Sequence, residues 1–373
     1  MRVLVAPDKF KGTLSAAEAA AAMAQGVLRV YPDAQVRLLP VADGGEGTLE
    51  AALAAGAEQR TERVRGPLDK DVNASWALLE RPGRRTAVIE IARACGLLLV
   101  EPSVQTALAA HSYGSGQLIA AALEAGASEI VLGLGGSAMT DGGSGALRAL
   151  GLKVYDDGGA EVPLGGAALL SARWAEDSRL DARLQSTVLR IAADVDSPLT
   201  GPEGAAQLFG AQKGADATAR NLLDEALRHW ADLLEDVTGS AVDVPGAGAA
   251  GGYPAAFLAF TNARLQRGFD LVAELVGLDE ALAAADLVIT GEGALDGQSL
   301  RGKAPLGVVE RAQAHGVPAV VVAGSITLPL QELAGRGVAA AVSVLDVART
   351  PQEAFARPAE YLALATQQAL EGA

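Results

Sequence analysis

The stretch Asp286-Leu-Val-Ile-Thr290-Gly-Glu292-Gly293 joins an apolar run to a glycine-rich turn that carries an acid. Consecutive apolar and β-branched residues of this length are typical of a strand covered on both faces, as in a parallel sheet. Glycine directly after such a strand permits positive φ angles and a close approach of the backbone to a ligand. The stretch therefore predicts a buried parallel strand and a loop that presents Glu292.

Four other segments repeat this pattern of an apolar run and an acid-bearing loop. They are Ala6-Pro-Asp8-Lys9-Phe-Lys11-Gly-Thr13, Ala42-Asp43-Gly44-Gly45-Glu46-Gly-Thr48, Gly135-Gly136-Ser137-Ala-Met-Thr140-Asp141-Gly-Gly143 and Ala193-Asp194-Val-Asp196-Ser197. A sixth segment, Pro245–Gly252, is rich in glycine and lacks an acid. One such loop alone is more often a turn with a helix cap. Five in one chain favour a binding site, because loops at the carboxyl ends of parallel strands lie together.

Short apolar runs alternate with alanine-rich helical patterns along the chain. The predicted strands are Val3–Ala6, Val36–Leu39, Thr86–Ile91, Glu129–Leu134, Leu189–Ala193, Asp286–Thr290, Pro318–Ala323 and Ala339–Val344. The predicted helices are Ser15–Val30, Ser115–Ala125, Gly143–Leu150, Ala215–Val237, Gly252–Leu265, Leu306–His315 and Glu353–Leu370. This alternation predicts an α/β fold with βαβ units and a mainly parallel sheet.

A chain of 373 residues favours two domains over one. Thr61–Arg85 and Tyr155–Asp181 are richer in turn formers and charge than the rest, and less regular. We therefore expect a Rossmann-like domain with a second α/β domain inserted into it. The expected ranges are 1-60, 110-152 and 280-373 for the first domain, and 61-109 and 153-279 for the second.

The charge balance bounds the partners of the protein. The formal net charge is −15 and no Lys/Arg-rich run occurs, which speaks against nucleic acid or an anionic membrane as the main partner. The apolar run at residues 3–6 is too short for a signal peptide, and no apolar stretch approaches the ~20 residues of a membrane span. A cytoplasmic protein is the expectation. The single cysteine, Cys95, has apolar neighbours, which predicts a buried and inert thiol.

One glycine motif suggests an alternative function. Gly133-Leu-Gly-Gly-Ser-Ala138 fits G-x-G-x-x-A after a predicted strand, as in a dinucleotide-dependent oxidoreductase. Polar residues run on through Asp141, however, where a dinucleotide-binding unit would already be helical.

Two further motifs are incomplete. Gly246–Gly251 fits G-x-G-x-x-G, but no convincing strand precedes it. Gly297–Ala304 nearly fits a P-loop, yet alanine stands where the magnesium-binding Ser or Thr belongs. Lys303 in this segment remains a candidate phosphate contact, as a point charge.

The catalytic repertoire is limited by composition. No pair among the three histidines has the spacing of metal ligands, and no nucleophile elbow occurs. Carboxylates, lysines, hydroxyls and backbone amides remain. Such a set suits phosphoryl transfer, which depends on positioning and charge neutralisation.

Six motifs together resemble one family. They are Ala6–Ser15, Pro40–Thr48, Gly135–Gly143, Phe209–Ala215, Pro245–Gly252 and Thr290–Gly293. In this order they are similar to the bacterial glycerate kinases of the type that opens with APDSFKG, and the resemblance extends to Ser343. The family usually has Asn where Thr140 stands, Pro at Ala211 and Arg at Ala294, so a cation that could hold an anionic ligand is missing at Ala294.

The resemblance implies ATP-dependent phosphorylation of D-glycerate to a phosphoglycerate, with Mg²⁺, in organic-acid catabolism. It also implies two α/β domains with the site in the cleft between them. The 2-hydroxyl is favoured as the acceptor by the habit of the family. A kinase of another small hydroxy acid is the remaining alternative among kinases, and the oligomeric expectation is a monomer or homodimer.

Roles for single residues are hypotheses from their places after predicted strands. The expected catalytic residues are Asp194, Asp43 and Lys11, with either acid orienting or deprotonating the substrate hydroxyl. The expected substrate and phosphate contacts are Asp8, Lys9, Gly44, Gly45, Glu46, Gly135, Gly136, Ser137, Asp141, Lys213, Gly248 and Lys303. Glu292 and Asp296 are expected to hold Mg²⁺.

Overall fold

The structure is a computed structural model that describes residues 1–297, 299–301 and 303–372. The chain forms two compact units. The first unit comprises residues 1–56 and 268–373, and the second comprises residues 57–267. None of the helices in the described ranges is both long enough and apolar enough to cross a membrane.

The strands are numbered in chain order. They are β1 (Arg2–Val5), β2 (Gln35–Leu38), β3 (Glu58–Arg65), β4 (Asp71–Arg81), β5 (Arg84–Glu90), β6 (Glu129–Gly133), β7 (Lys153–Tyr155), β8 (Trp174–Glu176), β9 (Val188–Ala192), β10 (Arg264–Gln266), β11 (Leu287–Thr290), β12 (Ala294–Leu295), β13 (Ala319–Ala323), β14 (Ser325–Ile326) and β15 (Val338–Ser343).

The α-helices follow the same numbering. They are α1 (Ala16–Val30), α2 (Thr48–Ala54), α3 (Ala92–Cys95), α4 (Val104–Ala109), α5 (Tyr113–Glu124), α6 (Ser144–Ala149), α7 (Ala205–Phe209), α8 (Ala217–Thr238), α9 (Ala249–Phe260), α10 (Gly268–Val276), α11 (Leu278–Ala283), α12 (Ala304–Ala314), α13 (Leu330–Gly335), α14 (Val344–Val347), α15 (Pro351–Ala356) and α16 (Pro358–Glu371). Short 3₁₀ turns include Leu97–Leu99, Ala167–Ser171, Ala182–Gln185, Ala211–Lys213 and Ser299–Arg301.

The sheet of the first unit has five parallel strands in the spatial order β2-β1-β11-β13-β15. Counted within this unit, that order is 2-1-3-4-5. A doubly wound sheet of this order places its ligand at the switch point between the first and third strands. This order is one of the two common orders of Rossmann-like, doubly wound sheets, and it differs from the order 3-2-1-4-5-6 of the dinucleotide-binding sheet.

Both faces of the three central strands of this sheet, β1, β11 and β13, are buried. Leu4 and Ala6 of the β1 segment pack into a core with residues of α10 and α12, whereas Val3 and Val5 pack into a second core with α1 and α16. Successive residues of a strand point to opposite faces, so both must be apolar when helices cover both sides. This explains the uninterrupted apolar runs.

The sheet of the second unit has six strands in the order β10-β9-β6-β5-β4-β3. The strands β10, β9, β6 and β5 are parallel, whereas β4 and β3 pair antiparallel at one side. Its core includes the buried side chains of Trp76, Ile89, Leu132, Ile191 and Trp230. The expected mixed α/β class with mainly parallel sheets is confirmed.

The domain boundaries differ from the expectation. Residues 110–152 belong to the second unit, because β6 pairs with β5 and β9. Residues 268–279 belong to the first unit, where α10 packs into its core. Pattern alone could not assign β6, since a buried parallel strand looks the same in either sheet.

Three local expectations were also wrong. The segment at 61–85 is regular, since it forms the antiparallel strands β3 to β5. The helix expected to reach Leu265 ends at Phe260, and β10 follows it. The last predicted helix is two helices with a break at Arg357, because the residue before a proline is disfavoured in the helical region.

Candidate active site

The acids Asp8 and Glu292 follow the neighbouring parallel strands β1 and β11 of the first unit. The backbone amide of Asp8 donates a 2.9 Å hydrogen bond to the carbonyl oxygen of Gly291. Gly291 must be glycine, because a Cβ atom there would lie 1.7 Å from the carbonyl oxygen of Val322. The β1/β11 junction is the switch point of the sheet, so these acids occupy the place where such folds bind ligands.

Asp8 is buried, with 5% of its surface exposed. Its Oδ1 accepts a 2.6 Å hydrogen bond from the amide of Lys9, whose ammonium lies 4.0 Å away. Burial raises the pKa of Asp8 to about 7; the charges of Asp43 and Glu292 add to this rise, and Lys9 opposes it. Asp8 is therefore poised to exchange a proton near neutral pH.

Glu292 is also buried and has two partners from the segment that follows it. Its Oε1 accepts a 2.6 Å hydrogen bond from the Ser299 hydroxyl, and its Oε2 lies 3.7 Å from the Lys303 ammonium. Burial raises the pKa of Glu292, while Ser299 and Lys303 act in the opposite direction and the Asp296 and Asp43 charges add to the rise. The two buried carboxyls share a region of excess negative charge.

The loop after β2 carries Asp43 and Glu46. Asp43 is half-buried and accepts a 3.2 Å hydrogen bond from the amide of Gly45. The Lys9 ammonium donates a 2.6 Å hydrogen bond to the main-chain carbonyl of Glu46, whose side chain is exposed. Lys9 thus ties this loop to the end of β1.

The structure brings most of the predicted residues of the first unit together. One charged group contains Asp8, Lys9, Asp43, Glu292 and Lys303. The charge of Asp296 acts on Glu292 in this group. The loop glycines Gly44 and Gly45 directly follow Asp43 in the chain. Lys11 is exposed, and no described contact joins its side chain to this group.

The parallel strands β5, β6 and β9 of the second unit end at the same position in the sheet register. Glu90, Gly133 and Ala192 are the neighbouring residues in this register. Beyond them, Gly135 and Gly136 are exposed after β6, and Asp194 is exposed after β9. The prediction that these loops share one edge is therefore met for Gly135, Gly136 and Asp194.

Asp141 has a different place from the one expected. Its carboxylate is fully buried and accepts hydrogen bonds from the amide and hydroxyl of Ser112, both at 2.8 Å. The amides of Gly145 and Gly143 donate to it at 3.1 Å and 3.3 Å. Asp141 holds its own loop against α5, and both of its carboxylate oxygens are bonded within the protein. Ser137 is likewise buried and forms a β-bridge with Gly96.

Lys213 is a further correction. Only 3% of the residue is exposed. Its ammonium donates to the carbonyl oxygen of Met139 at 2.5 Å and lies 3.4 Å from the Thr140 hydroxyl. Burial lowers the pKa of Lys213 to about 8, and the charge of Asp141 opposes this. A lysine packed in this way is not a direct phosphate contact.

Gly248 packs beneath the loop that follows Asp194, and its amide is already hydrogen-bonded within the protein. Its N–H donates to the carbonyl oxygen of Ser197 at 3.0 Å, as does that of Gly246 at 3.1 Å. A Cβ atom on Gly248 would lie 2.1 Å from the carbonyl oxygen of Pro198. The glycines of this segment therefore allow close packing beneath the loop that follows Asp194.

The expectation of a buried, inert Cys95 is confirmed. The thiol is fully buried and donates to the carbonyl oxygen of Ile91 at 3.0 Å. Burial raises its pKa to about 12. A thiolate does not form at physiological pH.

The two glycine motifs that resemble dinucleotide-binding fingerprints lack the strand–turn–helix geometry of such a site. After β6 ends at Gly133, the next helix begins only at Ser144, whereas a dinucleotide site needs the helix at the glycine turn. Gly246–Gly251 lies far along the chain from β9. The P-loop-like segment includes Gln298 and Gly302, which lie outside the described residues.

Two candidate residues did not emerge from the sequence patterns. Glu90 ends β5, is buried, and accepts a 2.9 Å hydrogen bond from Arg93. Ser299 is fully buried against Glu292. An acid at the end of the apolar run before Ile91 was a usable signal for Glu90, whereas Ser299 required knowledge of how the loop folds back.

Comparisons with known proteins agree on one family. The profile described as "Glycerate kinase family" matches residues 3–372. A glycerate kinase of Bacillus subtilis is 44% identical over 364 residues, which cover 97% of this chain and 95% of that protein. A glycerate 2-kinase of Escherichia coli is 45% identical over 358 residues, which cover 95% and 93% of the two chains.

A solved structure supports the same relationship. The crystal structure assigned to glycerate kinase 2 of Salmonella typhimurium LT2 superimposes with a TM-score of 0.88 at 39% sequence identity. The match covers 100% of this chain and 98% of the other. With the acid group at the switch point and a profile match along nearly the whole sequence, the chain belongs to the glycerate kinase family and is an enzyme of that family.

Proposed function

We propose that the enzyme transfers the γ-phosphoryl group of ATP to the 2-hydroxyl of D-glycerate, which gives 2-phosphoglycerate and ADP. The observation that carries the proposal is the pair of buried acids, Asp8 and Glu292, flanked by Lys9 and Lys303 at the switch point. The similarity to a glycerate 2-kinase of Escherichia coli supports the choice of hydroxyl.

Asp8 has the property that a general base requires. In the transfer, an oxygen–phosphorus bond forms at the glycerate hydroxyl, the bond to ADP breaks, and the hydroxyl proton leaves. A group that titrates near the working pH accepts that proton most efficiently. The pKa of Asp8 is raised to about 7, with Asp43 contributing to the rise. Asp43, predicted as a base, acts in this proposal through its charge on Asp8.

The lysines neutralise negative charge, because the buried acids would otherwise repel the anionic substrates. Lys303 lies 3.7 Å from Glu292 and is partly exposed, so its ammonium can contact an anionic group. Lys9 is held at the Glu46 carbonyl beside the glycines of the same loop. Phosphoryl transfer depends on such positioning and charge neutralisation.

The acids of the first unit fit a divalent cation. Burial and the charges of neighbouring acids raise the pKa values of both Asp8 and Glu292, so a positive charge beside them would be stabilised. Within the described ranges, no three His, Cys, Asp or Glu side chains are grouped so as to hold a metal ion. Mg²⁺ commonly uses one or two carboxylates together with nucleotide phosphates, and Glu292 with Asp296 would supply them. When bound, the cation neutralises phosphate charge.

In the second unit, we propose that Gly135 and Gly136 contact a ligand through their backbone. Both are exposed at the strand end, and Gly136 has a φ of 75° that favours glycine. Asp194 at the neighbouring strand end orients a hydroxyl by accepting its hydrogen bond. Replacement of Asp194 by Asn, with the fold intact, tests this role directly.

Phosphorus NMR of the product tests the proposal in one measurement. Purified enzyme, ATP, Mg²⁺ and D-glycerate should give the resonance of 2-phosphoglycerate. Appearance of 3-phosphoglycerate would overturn the assignment of the hydroxyl and keep the kinase activity. No phosphate ester would overturn the proposed reaction.

A coupled ADP-release assay across glycerate, lactate, tartronate and glycolate tests the substrate. Faster turnover of another hydroxy acid than of glycerate would contradict the proposal. The same reaction with a chelator present should lose activity and regain it with added Mg²⁺. NAD(H) should cause no thermal shift, since the β6 turn lacks the helix that a dinucleotide requires.

A further inference from the structure

The buried ammonium of Lys213 lies beneath the loop formed by Gly135–Gly143. Lys213 sits at the end of a 3₁₀ turn, and its side chain donates to Met139 and contacts Thr140 in the middle of that loop. The residue is 3% exposed, so a dissolved ligand has no direct access to it. An ammonium in such a place is costly to bury, and the hydrogen bond to the Met139 carbonyl and the charge of Asp141 offset that cost.

Other contacts fix the loop around the same point. The amide of Ala138 donates to the carbonyl oxygen of Cys95, and the indole of Trp230 donates to the carbonyl oxygen of Gly142. Asp141 is held by Ser112. The loop is thus bonded on both sides of Met139, and only its first residues, at 135 and 136, are exposed.

We propose that Lys213 is a positioning residue that fixes the Gly135–Gly143 loop through the Met139 carbonyl, so that the exposed glycines hold the shape that binds the anionic substrate or nucleotide. This inference rests on the proposed function, in which the backbone of Gly135 and Gly136 contacts the ligand. It replaces the expectation that Lys213 touches phosphate itself.

The positioning depends on the charge of Lys213, which gives it a pH dependence. The ionisable groups facing the ammonium are Asp141 on the loop and Cys95 on α3. The buried Tyr253 phenol on α9 belongs to the same group, because it interacts electrostatically with Asp141 and Cys95. Above the lysine pKa of about 8, the amine is neutral and the Met139 contact weakens. The loop should loosen as the pH rises from about 7 to 9.

Lys213→Met tests the proposal, because methionine matches the lysine side chain in shape up to Cε and lacks the ammonium with its charge and donors. We expect KM for ATP or glycerate to rise by about tenfold or more, with a smaller change in kcat. Hydrogen exchange should increase in peptides spanning Gly135–Gly143 and stay unchanged in the first unit. Lys153→Met is the matched control, since Lys153 is a partly exposed lysine of the same unit that pairs with Glu161.

A second measurement uses the unaltered enzyme and holds even if Lys213→Met does not fold. The exchange of the same peptides, corrected for the intrinsic pH effect, should increase between pH 7 and pH 9 in the wild type. Unchanged exchange in this range would overturn the proposal. So would a folded Lys213→Met variant with wild-type exchange and wild-type KM values. Absence of kinase activity in the wild type would instead contradict the proposed function, because the exchange measurement needs no turnover.

Discussion

The backbone amide of Asp8 donates a 2.9 Å hydrogen bond to the carbonyl oxygen of Gly291, the residue before Glu292. This bond continues the parallel pairing of β1 and β11 past the ends of both strands. It fixes two acids, separated by most of the chain, at one point of the sheet. Both are buried there, which raises the pKa of each.

Asp8→Asn should stabilise the fold at pH 8 while lowering kcat by more than about tenfold, since a lost general base costs 10²–10⁴-fold. An unfolded Asp titrates near ~3.9, whereas the folded pKa is about 7. The folded protein keeps a proton that the unfolded chain releases, so stability falls as the pH rises from about 4 to 7. Removing this penalty should add on the order of 2–4 kcal/mol to the free energy of unfolding at pH 8. Urea denaturation at pH 4 and pH 8 measures it.

Asp286→Asn is the control of opposite sign. Hydrogen bonds from Arg2 lower the pKa of Asp286 to about 2, so its contribution to stability is present above the unfolded pKa and is lost as the pH falls towards 2. This variant should be destabilised slightly at pH 8 and unchanged in kcat. Asp8→Asn with normal turnover would remove Asp8 from the catalytic role.

Ser299→Ala should lower kcat and move the acidic limb of the pH–rate profile upward. The Ser299 hydroxyl donates to Glu292 and holds its pKa down against burial. Without it, the carboxyl keeps its proton to higher pH. We expect a loss of about tenfold in kcat at pH 7, since hydrogen bonds to charged groups contribute roughly 1.5–3 kcal/mol.

The surface pair Ser178–Glu176 supplies the matched control for this variant. Its hydrogen bond has the same 2.6 Å length as the Ser299–Glu292 bond, but it is exposed. Ser178→Ala should leave kcat and the pH profile unchanged. A wild-type pH profile for Ser299→Ala would show that the bond has no influence on catalysis.

Lys303→Met should raise KM for an anionic substrate more than it lowers kcat. The ammonium is partly exposed beside Glu292, so it can attract the anion and balance the acid. Initial rates across ATP and glycerate concentrations measure both constants, with an expected rise of about tenfold in at least one KM. Lys153→Met again serves as the control. An unchanged KM for both substrates would exclude Lys303 from binding.

Gly251→Ala should destabilise the protein by about 2 kcal/mol or more, because strain and overlap act together. Gly251 has a φ of 73°, and an added Cβ atom would lie 2.1 Å from the Met139 carbonyl oxygen. Gly239→Ala separates the two causes, since Gly239 has a φ of 71° with no atom within 4 Å of an added Cβ. Thermal unfolding of both variants is the measurement. Equal losses would mean that the close packing on Met139 contributes nothing.

The sequence by itself determined the α/β class, the strands that carry the acids and the family. Apolar runs followed by glycine and an acid are local signals, and the eight predicted strands all lie at observed strands. Strands covered on both faces, such as β11 and β13, need an uninterrupted apolar run. The buried, inert Cys95 could be read in the same local way.

Tertiary structure decided which of the predicted residues can meet a ligand. Asp141 stands in the same glycine-rich motif as the exposed Gly136, yet packing buries Asp141 within the protein, and it buries Lys213 against the Met139 carbonyl. It also placed β6 in the second sheet and raised the pKa of Asp8. Strand pairing and burial arise from contacts between distant parts of the chain, and no local pattern of residues encodes them.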